Sequence, residues 1–242
     1  MSSDPRTGEK TPVLRIEGVR KAYQALRPLR LASLTIMTGE RVAVAGVDGP
    51  GAELLVNLVT GATLPDGGSI WTFGRRTHDI ADGDDWLAWL DNFGIVSDRG
   101  VLLEGSSLQQ NLAMPFTLEI DPVPADVARR VADLARECGL AETLLPVAAA
   151  ELPQEARVRA HLARAVALAP RLLLVEHPTG RVRDEARASL ARDLATVCDA
   201  RGLAALILTN DAAFADGAAT NRLTLDAASG ELRALRKGWF RW

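Results

Sequence analysis

The sequence is short of lysine. Lys10, Lys21 and Lys237 are the only three in 242 residues, and arginine supplies the remaining cations. With 28 Lys and Arg against 31 Asp and Glu, the formal charge is -3, which gives no argument for a nucleic-acid partner. Cysteine occurs only at Cys138 and Cys198, far apart and inside helical patterns. That excludes a disulfide framework, speaks against a zinc site, and leaves reduced core thiols as the reading. Tyrosine occurs once, at Tyr23. No window holds ~18 uninterrupted apolar residues, so no stretch reads as a membrane-spanning helix. The opening MSSDPRTGEKTP (residues 1–12) is polar, lacks the apolar core of a secretory signal, and reads as a disordered tail. The expected compartment is therefore the cytoplasm.

What is present suits one large globular domain: 48% of residues are hydrophobic and 24% charged. LRIEGVRKAY and LRLASLTIM alternate like half-exposed strands, whereas ERVAVAG, FGIVS, RLLLVE and LAALILTN are short apolar runs that read as buried strands. GAELLVNLVTG, DDWLAWLDN, PADVARRVADLARECGL, PQEARVRAHLARAVALAP and RDEARASLARDLATVCDARG read as helices, the fourth with its arginines on a wet face. Pro124 and Pro153 suit first-turn positions. NRLTLDAASGELRAL reads as a closing hairpin. Alternating strands and helices predict a parallel sheet, with a helical lobe over about 122–169.

The most informative stretch is GVDGPGAEL, between the run RVAVA and the helix. Gly46, Gly49 and Gly51 have the spacing of a loop that cradles phosphate between a strand and a helix. Such loops close with Gly-Lys-Ser or Gly-Lys-Thr: backbone N–H groups and the helix N-terminus face the anion, Lys neutralises it, and Ser or Thr binds Mg²⁺. Here Ala52 and Glu53 follow Gly51, and Pro50 removes one donor. A carboxylate ~4 Å from a phosphate costs about 4 kcal/mol per charge pair at an effective dielectric of 20. Glu53 is expected instead to serve the loop as a built-in anion at the helix N-terminus.

The order of elements over 14–235 resembles the nucleotide-binding subunit of ABC transporters. LRIEGVRKAY looks like the first strand with its adenine-stacking aromatic, Tyr23; MTGERVAVAGVDGPGAELLVNLVTG looks like the Walker A strand, loop and helix. LPDGGSIWTFG, GIVSDRGVLLEGSSLQQNLAMP and AELPQEARVRAHLARAVALAPRLLLVEHPT resemble the turn that follows, the Q-loop segment, and the signature loop with its helix and Walker B. LILTND stands where the family has its switch histidine. The resemblance implies an α/β fold of the P-loop NTPase (RecA-like) type, with a parallel-sheet core, an N-terminal antiparallel β-subdomain and an inserted helical subdomain, spanning 13–236.

It also implies functional positions, most of them altered. Asp98 stands for the Q-loop glutamine, Glu176 for the Walker B aspartate, His177 for the glutamate that polarises water, and Asn210 for the switch histidine. Arg183 stands for the D-loop aspartate, with Asp184 next door. The signature corresponds to Leu152, Pro153, Gln154, Glu155 and Ala156, without its serine and glycines and with an added charge. Sites of this family are shared between two subunits, and here both the Walker and the signature halves are altered.

The resemblance thus implies a catalytically degenerate ATP-binding-type subunit, binding ATP and Mg²⁺ weakly or not at all, peripheral at the inner face of the membrane. It would partner a membrane permease through residues 98–115 and form a homodimer or heterodimer. Two other readings stay open: a slow, unconventional ATPase using Glu176 and His177, and a soluble scaffold unrelated to transport.

Several residues keep a plainer reading. Tyr23 reads equally as an adenine platform or as packing at a strand end. His177 reads as a loop residue, His78 and His161 as surface or helix residues, and Glu176 with Asp98 is too weak a pair to assign a metal. The last segment, 237–242, places Trp239, Phe240 and Trp242 among cations, which suits a membrane interface or a partner groove.

Overall fold

The computed structural model describes residues 11–23 and 27–235. The aromatic–basic tail at Trp239, Phe240 and Trp242 lies outside the described residues. Two sheets stack. The smaller is antiparallel and contains β1 (Pro12–Lys21), β2 (Leu29–Met37), β4 (Gly67–Thr72) and the two-residue β5 (Arg75–Arg76), in the order β2-β1-β4-β5. β1 starts at Pro12, one residue inside the segment read as a tail. The larger sheet contains β3 (Arg41–Ala45), β6 (Phe93–Val96), β7 (Leu172–Glu176), β8 (Ala204–Leu208), β9 (Asn221–Leu225) and β10 (Leu232–Ala234). Its order is β10-β9-β3-β8-β7-β6, parallel throughout except for β10, which closes a hairpin on β9.

The apolar runs of β3, β7 and β8 have no polar face because each feeds two cores. Val42, Leu172, Leu174, Leu206 and Leu208 point into the layer shared with the small sheet and α1 (Gly49–Val59). Ala43, Leu173, Val175, Ala205 and Ile207 point the other way, into the layer covered by helices. Strand residues alternate sides, so a five-residue apolar strand serves both layers. β6 is the edge strand: it pairs only with β7, and Ile95 is 41% exposed, so FGIVS is not buried throughout.

The helical layer holds α3 (Leu108–Ala113), α4 (Ala125–Glu137), α5 (Gln154–Val166), α6 (Asp184–Arg201) and α7 (Ala212–Ala218). α4 buries Val127, Val131, Leu134 and Ala135 along one stripe, as its spacing predicts. α2 (Gly83–Leu90) buries none of its residues fully. Pro124 and Pro153 fall at the N-caps of α4 and α5, one step before the first turn.

Two short helices escape a periodicity reading because they are set by caps. Ser107 and Gln110 form a reciprocal capping box at α3, and the Asp211 carboxylate accepts the N–H of Phe214 at α7. The expectation that the α5 arginines face water also fails. Arg159 is 8% exposed, and its guanidinium donates to Asp193 and Ser189 on α6. α5 is clamped between the sheet and α6, so an arginine there is kept by pairing rather than by hydration.

Candidate nucleotide-type site

The glycine loop joins β3 to α1 and is closed by its own side chains. Asp48 caps α1: its Oδ1 accepts the Gly51 N–H at 2.8 Å, and its carbonyl accepts the Ala52 N–H at 2.8 Å. The Tyr23 hydroxyl lies 3.5 Å from the same Asp48 oxygen, and burial beside that carboxylate raises the phenol pKa. From just beyond the adjacent strand β8, Asn210 Oδ1 accepts the Gly46 N–H at 2.8 Å, while Asn210 Nδ2 lies 3.4 Å from the Val47 carbonyl.

Two of the three glycines are needed by this closed loop. Gly46 has φ +84°, and a Cβ there would stand 2.7 Å from the Leu225 carbonyl oxygen. A Cβ at Gly51 would stand 2.7 Å from the capping Asp48 oxygen. One at Gly49 would meet nothing within 4 Å. Ala52 is fully buried and contributes no charge.

The anion at the helix N-terminus is therefore Asp48, which corrects the expectation for Glu53. Glu53 sits one turn further on, and its Oε1 accepts from Arg99 Nη1 at 2.7 Å. The second nitrogen of that guanidinium, Nη2, donates to Glu176 Oε1 at 2.5 Å. The other Glu176 oxygen accepts from Ser97 Oγ at 3.3 Å, and the Arg99 N–H donates to the same Ser97 oxygen at 3.2 Å. Glu176 is 7% exposed, whereas Arg99 and Glu53 are about half exposed, at 42% and 47%. One guanidinium thus ties α1, the C-terminal end of β7 and the 97–107 loop together. Sequence reading missed Arg99, and nothing local marks it, because its carboxylates are 46 and 77 positions away.

His177 follows directly, at φ +40°. Its N–H donates to the Leu208 carbonyl at 2.8 Å, and its buried Nε2 has no partner. It borders a cavity of about 100 Å³ with Asp98, Gln154, His161 and Arg181. Burial, with Arg164 and Arg157 nearby, pushes the His161 imidazole down to about 4.

In the signature-like stretch, Leu152 and Ala156 are buried, Pro153 caps α5 and Gln154 is its first residue. Glu155 Oε1 accepts from Arg183 Nη2 at 2.9 Å. Its own backbone N–H and the Arg183 guanidinium hold that carboxyl below its ordinary range. The altered signature position and the altered D-loop position are thus paired with each other.

Beside the Q-loop-like segment, Ile95, Val101 and Leu168 are 41%, 72% and 60% exposed and border an open groove of about 380 Å³ with Pro115 and Arg164. Arg164 Nη1 donates to the Val101 carbonyl at 2.6 Å. His78 is exposed in a short turn, and both cysteines are buried free thiols. Among the described residues no three His, Cys, Asp or Glu side chains are grouped to hold a metal, and no helix is long and apolar enough to cross a membrane.

A glycine loop opening a helix from the end of a parallel strand, an antiparallel sheet below it and a helical layer beyond define a nucleotide-binding cassette of the P-loop type. The chain belongs to the ABC transporter family, whose family model matches residues 29–180. It is 30% identical over 203 residues to the Fe(3+) ions import ATP-binding protein FbpC of Mesorhizobium japonicum, covering 84% of this chain and 54% of that protein. It is also 30% identical over 210 residues to the lipoprotein-releasing system ATP-binding protein LolD of Anaeromyxobacter dehalogenans, covering 85% and 87%. The chain spans little more than half the length of the FbpC relatives it matches, 54% and 60%.

The fold superposes on cbiO1 from Clostridium perfringens, part of the ABC transporter complex cbiONQ, with TM-score 0.76 at 19% identity over 92% of this chain and 87% of that one. It also superposes on the dimeric ATP-binding cassette MJ0796 bound to ADP and Pi, with TM-score 0.73 at 20% identity over 93% and 100%.

Proposed function

We propose that this chain is an ABC-type ATP-binding subunit that takes metal-bound ATP weakly or not at all, does not hydrolyse it, and acts as a structural or regulatory partner of a membrane permease at the inner face of the membrane. The observation that carries this reading is the closed loop. Its Gly46 and Gly51 N–H groups are taken by Asn210 and Asp48, and the position that should supply an ammonium is a buried alanine. A triphosphate entering there would have to displace a carboxylate from the helix N-terminus with no cation to offset its charge.

The relatives named for transport of Fe(3+), lipoprotein or sulfate differ in cargo, so they indicate a transport subunit without indicating what is moved. Residues 98–115 are the surface proposed for the permease, with Val101 and Pro115 bordering the apolar groove that Ile95 and Leu168 complete, and pairing with a second ABC-type subunit follows the dimeric MJ0796 cassette. The rival reading of a slow ATPase is disfavoured because both Glu176 oxygens are engaged, by Arg99 and Ser97.

Calorimetric titration with Mg-ATP tests the proposal. The wild type should give no saturable heat, and the double variant Ala52→Lys/Glu53→Ser should gain binding. Micromolar affinity in the wild type, or phosphate release that Glu176→Gln abolishes, sinks it.

A further inference from the structure

We propose that Arg99 is a built-in cation, doing permanently what a bound divalent ion does transiently in P-loop enzymes, and so keeping the 97–107 loop closed at all times. This rests on the reading that the site takes no metal nucleotide. In P-loop NTPases the residue after the loop lysine and the acidic residue ending the Walker B strand hold Mg²⁺ between them. Here those positions are Glu53 and Glu176, both carboxylates, and the Arg99 guanidinium stands between them at 2.7 and 2.5 Å.

The chemistry is matched. Two carboxylates close together, one of them 7% exposed, need a positive charge, since an unpaired charge there is costly. A guanidinium is suited to this because its donors lie in a rigid fork, each arm meeting one carboxylate, and it keeps its charge at any working pH. Ser97 makes the fit tighter, donating to Glu176 and accepting the Arg99 backbone N–H, so the loop is bound to the bridge by main chain and side chain together. The next turn follows from it: the Gly100 N–H donates to the Ser97 carbonyl at 3.1 Å. Where a cation must arrive with a nucleotide, the loop closes only on loading. Where the cation is a side chain, closure is constitutive.

Hydrogen exchange at the Arg99 and Gly100 amides in the full chain, without nucleotide, tests this. Both should be protected in the wild type and indifferent to Mg²⁺. Arg99→Ala should exchange about tenfold faster or more, and millimolar Mg²⁺ or methylguanidinium should restore the protection. That restoration should vanish when Glu53→Gln and Glu176→Gln are added. A purely structural arginine would give the first effect without cation rescue. Unchanged exchange in Arg99→Ala, or raised exchange that neither cation restores, overturns the proposal. Arg99→Gln, which keeps a shorter polar side chain and loses the charge, serves if the alanine variant does not fold. Binding of Mg-ATP by the wild type would sink the reading that the site takes no metal nucleotide while leaving the rescue in Arg99→Ala as it stands.

Discussion

Asn210 Oδ1 accepts the backbone N–H of Gly46 at 2.8 Å, across 164 positions of sequence. The side chain at the end of β8 is therefore a strut for the glycine loop, and the loop is held at both ends, by Asn210 at Gly46 and by Asp48 at Gly51. Asn210→Ala should lower stability by about 1 kcal/mol, the net value of a hydrogen bond whose donor is then left without its partner. Asp48→Ala should cost about 1 kcal/mol as the loss of an N-cap. The double variant should cost less than the sum, because both residues fix one loop. Urea denaturation of the three variants measures this, and strict additivity would mean that the two ends of the loop are independent.

The glycines separate in the same way. Gly46→Ala forces a Cβ to 2.7 Å from the Leu225 carbonyl at a φ of +84°, and should cost about 2 kcal/mol or more. Gly49→Ala adds a methyl to open space and should stay within about 0.5 kcal/mol of the wild type. Matched thermal melts decide it. Equal losses would mean that the loop geometry is not what holds Gly46.

Much of the fold was legible because it is local. The strands β3, β7 and β8 follow from short continuous apolar runs, and the stripe Val127, Val131, Leu134 on α4 from helical periodicity. α3 and α7 were not, being six and seven residues set by caps rather than by a repeat. At the site, the missing lysine and the surviving glycines could be read directly, since a motif is a local pattern. The bridges could not. Arg99 meets carboxylates on two other elements, and Arg183 meets Glu155 28 positions away. Only the fold says that Asp48, rather than Glu53, occupies the helix N-terminus.

Arg159 is the charged residue on α5 whose loss should be felt most. Its 8% exposure and its bonds to Asp193 and Ser189 mean that Arg159→Ala leaves a partly buried carboxylate without its cation. The expected cost is about 2 kcal/mol, below the range for fully buried pairs because Asp193 is 28% exposed. Arg136→Ala, whose side chain is 61% exposed, should change stability far less, because exposed ion pairs are screened by solvent. Denaturant midpoints at one salt concentration check the order, and an equal effect of the two would contradict it.

His161 gives the fold a pH dependence of known sign. In the folded chain burial, followed by Arg164 and Arg157, lowers the imidazole to about 4, with Asp98 opposing weakly. In the unfolded chain it titrates near its ordinary value of about 6.5. Between those two values the unfolded state binds more protons than the folded one, so stability is full above about pH 6.5 and falls as pH drops toward about 4. His161→Gln removes this linkage. The difference between the wild-type and variant unfolding free energies should therefore be flat above about pH 7 and slope downward through the weakly acid range. Depressed carboxyls such as Asp85, at about 2, and Glu155 are common to both proteins and cancel in that difference. Parallel curves down to about pH 4 would show that the His161 imidazole charges as freely in the folded chain as in water.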